Sequence, residues 1–226
     1  MARMSKAPLS VKDVVAHVRK SRVLQAIALG AVLAALGLSA WIAHDIFFGY
    51  EAPPEFGQYS TRAPDTVALA EFLSYESVDS VAGKLDAWGY SIDRSKSHKP
   101  PSKRYPPRNL DSMEISGYEH LGARGHLRLE FFNDRLYEAH FEPDDVIAYL
   151  PRLHEAEPDL RRDKIGMSDV TIGSRRMTSN ADLTASKVGR ELGTTPYVIW
   201  QDVRLKDQLA QWENEYGALS SRREKK

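Results

Sequence analysis

The hydrophobic pattern opens with an uninterrupted apolar run and then breaks into short periodic stretches. From Val23 to Ala43 the sequence VLQAIALGAVLAALGLSAWIA carries no charge. At the α-helical rise it spans about 30 Å, the thickness of a bilayer's hydrocarbon core. Trp41, Phe47, Phe48 and Tyr50 follow it, where aromatic rings favour the headgroup region. The pattern predicts one transmembrane anchor over 23–43. Arg19, Lys20 and Arg22 precede it, and Asp45, Glu51 and Glu55 follow. The basic flank therefore stays cytoplasmic and the bulk of the chain lies outside, in the periplasm of a Gram-negative cell. A retained signal anchor fits better than a cleaved signal peptide, whose apolar region is only about 7–15 residues. Ala26, Gly30 and Ala34 recur one helical turn apart, a small-residue face that would let two anchors pair as a homodimer, beside the plainer reading of an ordinary anchor.

Residues 1–22 form a short basic cytoplasmic segment, in which Ser10 to Asp13 resembles a capping box opening a small helix. Residues 44–65 read as an extended, Pro-containing spacer. The remainder, 66–217, predicts a single extracytoplasmic domain. Asp65 is placed to cap a short helix carrying Val67, Leu69, Ala70, Phe72 and Leu73. Ser77 or Asp79 opens a second helix with Val78, Val81, Leu85 and Trp88 on one stripe and Gly89 as its stop.

Residues 94–108 hold Arg94, Lys96, Lys99, Lys103, Arg104 and Arg108, together with His98, paired prolines and no acid. Such a segment predicts a mobile polyproline-like loop. Strand periodicity follows. Met113, Ile115 and Tyr118 mark one strand, 122–125 a turn, and HLRLEFFNDRLYEAHF a hairpin. With Asn133, Asp134 and Arg135 as its loop, Leu127 faces Phe141, Leu129 faces Ala139 and Phe131 faces Tyr137. Arg128–His140, Glu130–Glu138 and Phe132–Leu136 then fill the other side. One face is apolar and the other charged, as a half-buried antiparallel pair requires. Phe132 and Leu136 make an apolar spot on the polar face, awaiting a covering helix or a partner.

Pro143 ends the hairpin and Asp144 is placed to cap a helix through Val146, Ile147, Tyr149 and Leu150. Residues 155–168 are polar loop. Val170, Ile172 and Met177 suggest a strand, Asp182 to Leu192 a helix closed by Gly193, and PYVIWQDV a buried strand. Leu205, Leu209, Trp212 and Tyr216 mark a final helix, and 218–226 a disordered charged tail. The order predicts an α+β domain with helices packed on a mainly antiparallel sheet. VAGKLDAWGY echoes KVGRELGTTPY, and LEFFNDRL echoes VIWQDVRL, a hint of a duplicated helix–strand unit. The helix followed by an apolar hairpin resembles the small envelope-assembly lipoproteins of the BamE type. The resemblance is one of pattern over that stretch alone, and the cysteine that bears the lipid in that family is absent here.

Composition narrows the chemistry. The chain has no cysteine, which excludes disulfides, thiolate nucleophiles and cysteine-ligated metals. Lys plus Arg and Asp plus Glu each number 31, but residues 1–50 hold Arg3, Lys6, Lys12, Arg19, Lys20 and Arg22 against only Asp13 and Asp45. The outer domain is thus mildly acidic, which argues against a nucleic-acid binder. G-x-S-x-G, S-x-x-K and Walker A motifs are missing, and Pro158 stands where a zincin helix needs its second histidine after His154 and Glu155. Glu119, His120, His126, Glu130, Glu138 and His140 gather around the sheet. They read as a solvated polar face more readily than as a zinc or acid–base site.

These observations predict a non-catalytic, membrane-anchored interaction or scaffold module of the bacterial envelope, serving assembly or secretion, with no cofactor. Its expected contacts with a protein partner are Arg94, Lys96, Lys99, Lys103, Arg104, Arg108, Phe132 and Leu136. The alternatives are an envelope hydrolase or metal-dependent enzyme using the His/Glu cluster, and a domain that binds an anionic glycan or lipid through the basic segment.

Overall fold

Alternation of apolar and polar residues between 108 and 143 builds the centre of the fold. In the computed structural model, which describes residues 26, 29–30, 32–40, 54–62, 67–160 and 162–221, this stretch forms three consecutive antiparallel strands. The chain divides into two units, Met1–Glu51 and Ala52–Lys226. In the first, residues 32–40 are helical, as are 26, 29 and 30. Leu29, Val32, Leu33, Leu36 and Leu38 are each more than half exposed there. The Ser39 hydroxyl donates to the Ala35 carbonyl at 2.8 Å, so the segment's serine is satisfied within the helix. Among the described residues no helix is long and apolar enough to cross a membrane. The rest of the predicted anchor and the whole of 1–22 lie outside the described residues.

The second unit is α+β. A 3-10 helix (Pro54–Tyr59) precedes a small hairpin of β1 (Ala68–Leu69) and β2 (Phe72–Leu73), then helix α1 (Val78–Ala87). Strands β3 (Asp93–Lys99), β4 (Arg108–His120), β5 (Ala123–Phe132) and β6 (Leu136–Pro143) follow, then α2 (Val146–Ala156), β7 (Ser168–Ile172) and β8 (Arg175–Ser179). Two short helices, α3 (Ala181–Ala185) and α4 (Lys187–Leu192), lead to β9 (Val198–Asp202) and the terminal helix α5 (Val203–Ser221). The main sheet has seven strands in the order β3-β4-β5-β6-β9-β8-β7, every neighbouring pair antiparallel.

The sheet has two unlike faces. Met113, Ile115, Leu127, Leu129, Phe131, Ala139, Phe141, Met177, Val198 and Trp200 belong to one buried core with Leu69, Phe72, Val81, Leu85, Tyr149 and Leu153. The β1–β2 hairpin, α1 and α2 therefore cover that face. On the other face a smaller core unites Phe132 and Tyr137 with Phe56 and Tyr59 of the 3-10 helix and with Leu205 and Trp212 of α5. The second face is covered at that end, and its remaining positions are mostly polar, Ile199 opposite His140 being an exception.

The central register matches expectation at four pairs, Leu127–Phe141, Arg128–His140, Leu129–Ala139 and Glu130–Glu138. Nearer the tip it departs. Asn133 and Asp134 adopt positive φ of 49° and 60°, and the Phe132 N–H donates to the Arg135 carbonyl at 2.9 Å. The connection is thus a tight two-residue turn of the kind that suits strand twist, and Phe131 pairs with Leu136 in place of Tyr137. A bulge then inserts Tyr137 and restores the register. The expected apolar spot does not exist as a surface. Leu136 lies in the main core, Phe132 in the smaller one, and both are fully buried.

That turn is the polar hub of the domain. Arg135 is fully buried, and its guanidinium donates to the Phe132, Gln58, Thr61 and Tyr59 carbonyls and to the Gln208 side chain at 3.0–3.2 Å. Burial pulls its pKa down to about 10. The Asn133 amide donates to the Tyr59 and Pro107 carbonyls, and the Asp134 carboxylate accepts from the Val78 N–H at the start of α1. The predicted spacer is accordingly not extended at 54–62. These residues are fastened to the hairpin by Arg135 and Asn133 and bury Phe56 and Tyr59.

Other expectations shift for local reasons. Residues 68–73 form a hairpin, not a helix. Leu69 and Phe72 are both buried by it, and Ala70 at φ 55° makes its turn. Ser77 caps α1 as expected, accepting from the Ser80 N–H at 3.2 Å. Asp145, not Asp144, caps α2. Val170 and Met177 lie on two paired strands turned at Gly173. The helix expected over 182–192 is broken at Ser186, whose extended backbone and side chain start α4 afresh, leaving Val188 and Leu192 exposed. Helix α5 runs through Ser221, so Ala218–Ser221 are not tail-like. Of the two sequence echoes one recurs locally, since VAGKLDAWGY and KVGRELGTTPY each carry helix that stops at a glycine of positive φ, Gly89 and Gly193. The other does not: LEFFNDRL is a hairpin turn, whereas VIWQDVRL runs from a strand into a helix.

Candidate functional site

The basic segment is not a mobile loop throughout. Its first part, Asp93–Lys99, is β3, the edge of the main sheet. The sequence DRSKSHK lacks the apolar alternation of a half-buried strand, so nothing in its own pattern announces one. It becomes a strand because β4 offers a hydrogen-bonding edge at Arg108–Glu114, against which all of β3 is in register. A strand fixed by its neighbour's backbone needs no apolar face of its own. Residues 93–98 are exposed.

The register sorts the predicted contact residues. Arg94, Lys96 and His98 alternate onto one face, and Ser95, Ser97 and Lys99 onto the other. His98 Nε2 lies 3.0 Å from both carboxylate oxygens of Asp111, which is buried. Lys99 and Arg108 pair directly across the strands, and their cations stand over the Trp212 ring at 5.9 and 5.7 Å. Arg108 also forms an ion pair with Glu213. Both therefore brace α5 against the sheet, and neither is a free docking cation. Ser102 and Tyr105 close a small turn, Tyr105 is buried edge-on against Trp212, and Trp212 Nε1–H donates to the Pro106 carbonyl at 3.1 Å. Lys103 and Arg104 are exposed at the tip of that turn. Of the expected partner contacts, the fold thus presents Arg94 and Lys96 on the edge and Lys103 and Arg104 beside it. Phe132 and Leu136 are withdrawn into the cores.

The sheet separates the histidines of the expected His/Glu cluster. His120 lies on the helix-covered face, with Nδ1 2.8 Å from the Tyr149 hydroxyl and its ring against Phe141 and Trp200. Burial pulls its pKa down to about 4, only partly offset by the charge of Glu157. At neutral pH it is an uncharged core side chain, and its 3.5 Å approach to Glu71 is not an ion pair. His126 and His140 lie on the open face. His126 approaches Glu114 at 3.8 Å, His140 approaches Glu142 at 3.4 Å, and Arg128 sits 3.2 Å from Glu130 and 3.4 Å from His140. Burial lowers the His140 pKa, and Arg128 beside it acts in the same direction. Glu138 is held by Gln201 at 2.7 Å and Lys206 at 2.9 Å. Glu130 thus lies beside a guanidinium and Glu138 is held by an amide and an ammonium, and among the described residues no three His, Asp or Glu side chains converge as metal ligands. An open hollow of about 340 Å³ runs from this face to the edge strand, lined by Ser95, Ser97, Ser112, Glu114, Arg128 and Glu130 among others.

One polar cluster was not foreseen. The buried Asp182 carboxylate accepts from His154 at 2.9 Å and from Arg162 at 3.0 Å, joining α2, the 155–168 loop and α3. These residues are scattered along the chain and belong to no motif, so only the tertiary fold brings them together.

No protein-family model matches this chain, and no curated protein matches it. The functional reading therefore rests on the geometry of the edge strand and on the sequence of the N-terminal unit.

Proposed function

We propose that this protein is a single-pass, membrane-anchored interaction module of the bacterial envelope, non-catalytic, with its N-terminus cytoplasmic and its α+β domain in the periplasm. It captures a protein partner during assembly or secretion, and the capture surface is the basic edge formed by β3 and the turn beyond it. The observation that carries the reading is the unpaired edge of β3, exposed from residue 93 to 98 with Arg94 and Lys96 projecting from it. The charge-free run over 23–43 and the exposed apolar side chains of helix 32–40 support the anchor.

Deleting 94–108 would remove an edge strand and uncover Trp212, so the surface calls for a probe at single positions. The test is a photo-crosslinking residue at Ser97 in intact cells, with Thr171 on the opposite edge as control. A defined envelope protein crosslinked at Ser97, lost on combining Arg94→Glu with Lys96→Glu, is the expected result. Crosslinks at neither position, or capture indifferent to the charge reversals, would remove β3 from the interaction. Salt-sensitive binding of the purified protein to anionic vesicles or sulfated glycan, without any protein crosslink, would transfer the surface to the ligand-binding alternative. The hydrolase alternative finds His126 and His140 together on the open face, but among the described residues no three His, Asp or Glu side chains converge there as metal ligands.

A further inference from the structure

An edge strand presents more than charge. In an antiparallel strand every second residue turns its N–H and C=O away from its neighbour, so the seven residues of β3 offer outward backbone groups at roughly three or four positions. The other end of the sheet is less accessible. Strand β7 has five residues, the Arg162–Ser168 bridge covers its start, and its Asp169 is paired with Arg176. Strand β3 has no comparable cover on its outer side among the described residues.

Its side chains state what should pair there. Arg94, Lys96 and His98 occupy alternate positions on one face, with the Asp111 carboxylate opposite Lys96 and 3.0 Å from His98. Asp93, opposite Glu114, lies on the other face at the far end. A second copy of β3 laid alongside would bring cations against cations, which is how charged edges resist self-pairing. A strand with carboxylates at alternate positions would place them beside Arg94, Lys96 and His98, and its intervening residues beside Ser95 and Ser97. We infer that β3 recognises its partner by strand addition, taking an extended segment with acidic side chains at every second position. This deepens the interaction reading and rests on it.

The test uses the full-length protein in detergent and a fluorescent peptide of alternating Glu and Thr, matched to the seven residues of β3. Two controls share its charge: one with all glutamates in a block, and one N-methylated at alternate residues so that its backbone cannot pair. The alternating peptide should bind at least about tenfold more tightly than either control. The same loss should follow from combining Arg94→Glu with Lys96→Glu, in protein whose unfolding midpoint is unchanged. Equal binding of the N-methylated peptide would overturn strand addition, leaving a merely electrostatic contact. Failure of the alternating peptide to bind would overturn it as well. Persistence of the Ser97 crosslink in either case shows that the interaction reading survives alone, whereas loss of the crosslink removes both.

Discussion

Arg135 shows how far a single polar side chain can reach in this fold. Three backbone carbonyls of the 54–62 segment, from Gln58, Tyr59 and Thr61, share its guanidinium, which also stands over the Phe132 and Tyr75 rings at 5.3 and 5.7 Å. Arg135→Ala takes a donor from each of those carbonyls and empties the buried space that the guanidinium fills, and should destabilise the domain by about 3 kcal/mol or more in urea unfolding. Arg135→Lys should recover little, because one ammonium cannot reach the same set of carbonyls. His120 makes a second prediction at this scale. The unfolded chain takes up its proton near pH 6.5, the folded chain only near 4. Its contribution is complete above pH 6.5 and is lost as pH falls towards 4, by about 3 kcal/mol. Glu71, whose carboxyl is raised by burial, acts in the opposite sense at the low end of that window. The measurement is therefore a comparison: the fall in stability between pH 6.5 and 4 should be shallower in His120→Gln than in the parent.

Among the elements, the β5–β6 hairpin carries the most information. The alternation of LRLEFF against LYEAHF defines which residues face the core, and most of the register follows from it. The same alternation is blind to the tip, where a two-residue turn and a one-residue bulge achieve together what a three-residue loop would do alone. Both keep Glu138 and His140 off the apolar face. Deleting Tyr137 removes the bulge without shortening the turn. The tip pairing and the Leu127–Phe141 pairing then fall into one unbroken register, since Glu138 follows Leu136 directly opposite Glu130. The variant should keep cooperative unfolding and near-UV circular dichroism, and lose about 3 kcal/mol from the missing Tyr137 packing in the smaller core. Loss of cooperative unfolding would mean that the bulge itself is needed to hold the hairpin. Strand β3 and the 68–73 hairpin illustrate the reverse case. Their sequences carry a loop-like and a helix-like pattern, and a neighbouring strand edge and core decide otherwise.

For the whole molecule, the proposed topology, with 23–43 as anchor and the α+β domain outside, makes a prediction that the cysteine-free chain renders simple to test. A membrane-impermeant thiol reagent, applied to Gram-negative cells with a permeabilised outer membrane, should label Ser97→Cys and not Ser5→Cys. Labelling of Ser5→Cys alone would reverse the proposed orientation. At the same scale, charge reversal at Arg94 and Lys96 should abolish partner crosslinking while leaving stability within about 0.5 kcal/mol, as expected for exposed residues.

The sequence by itself determined the α+β class, α1, α5 and the core register of the central hairpin, because each is written in a local period that burial enforces. It also delimited a charge-free run long enough to span a bilayer. The tertiary structure alone decided that the basic segment is an edge strand, that Lys99 and Arg108 brace Trp212, and that the histidines lie on opposite faces. It also decided that Arg135 is the buried hub of the domain. The reason is common to all four. Backbone edges, aromatic faces and carbonyl acceptors contributed by remote segments leave no period in the sequence that uses them, and they acquire direction only once the sheet has formed.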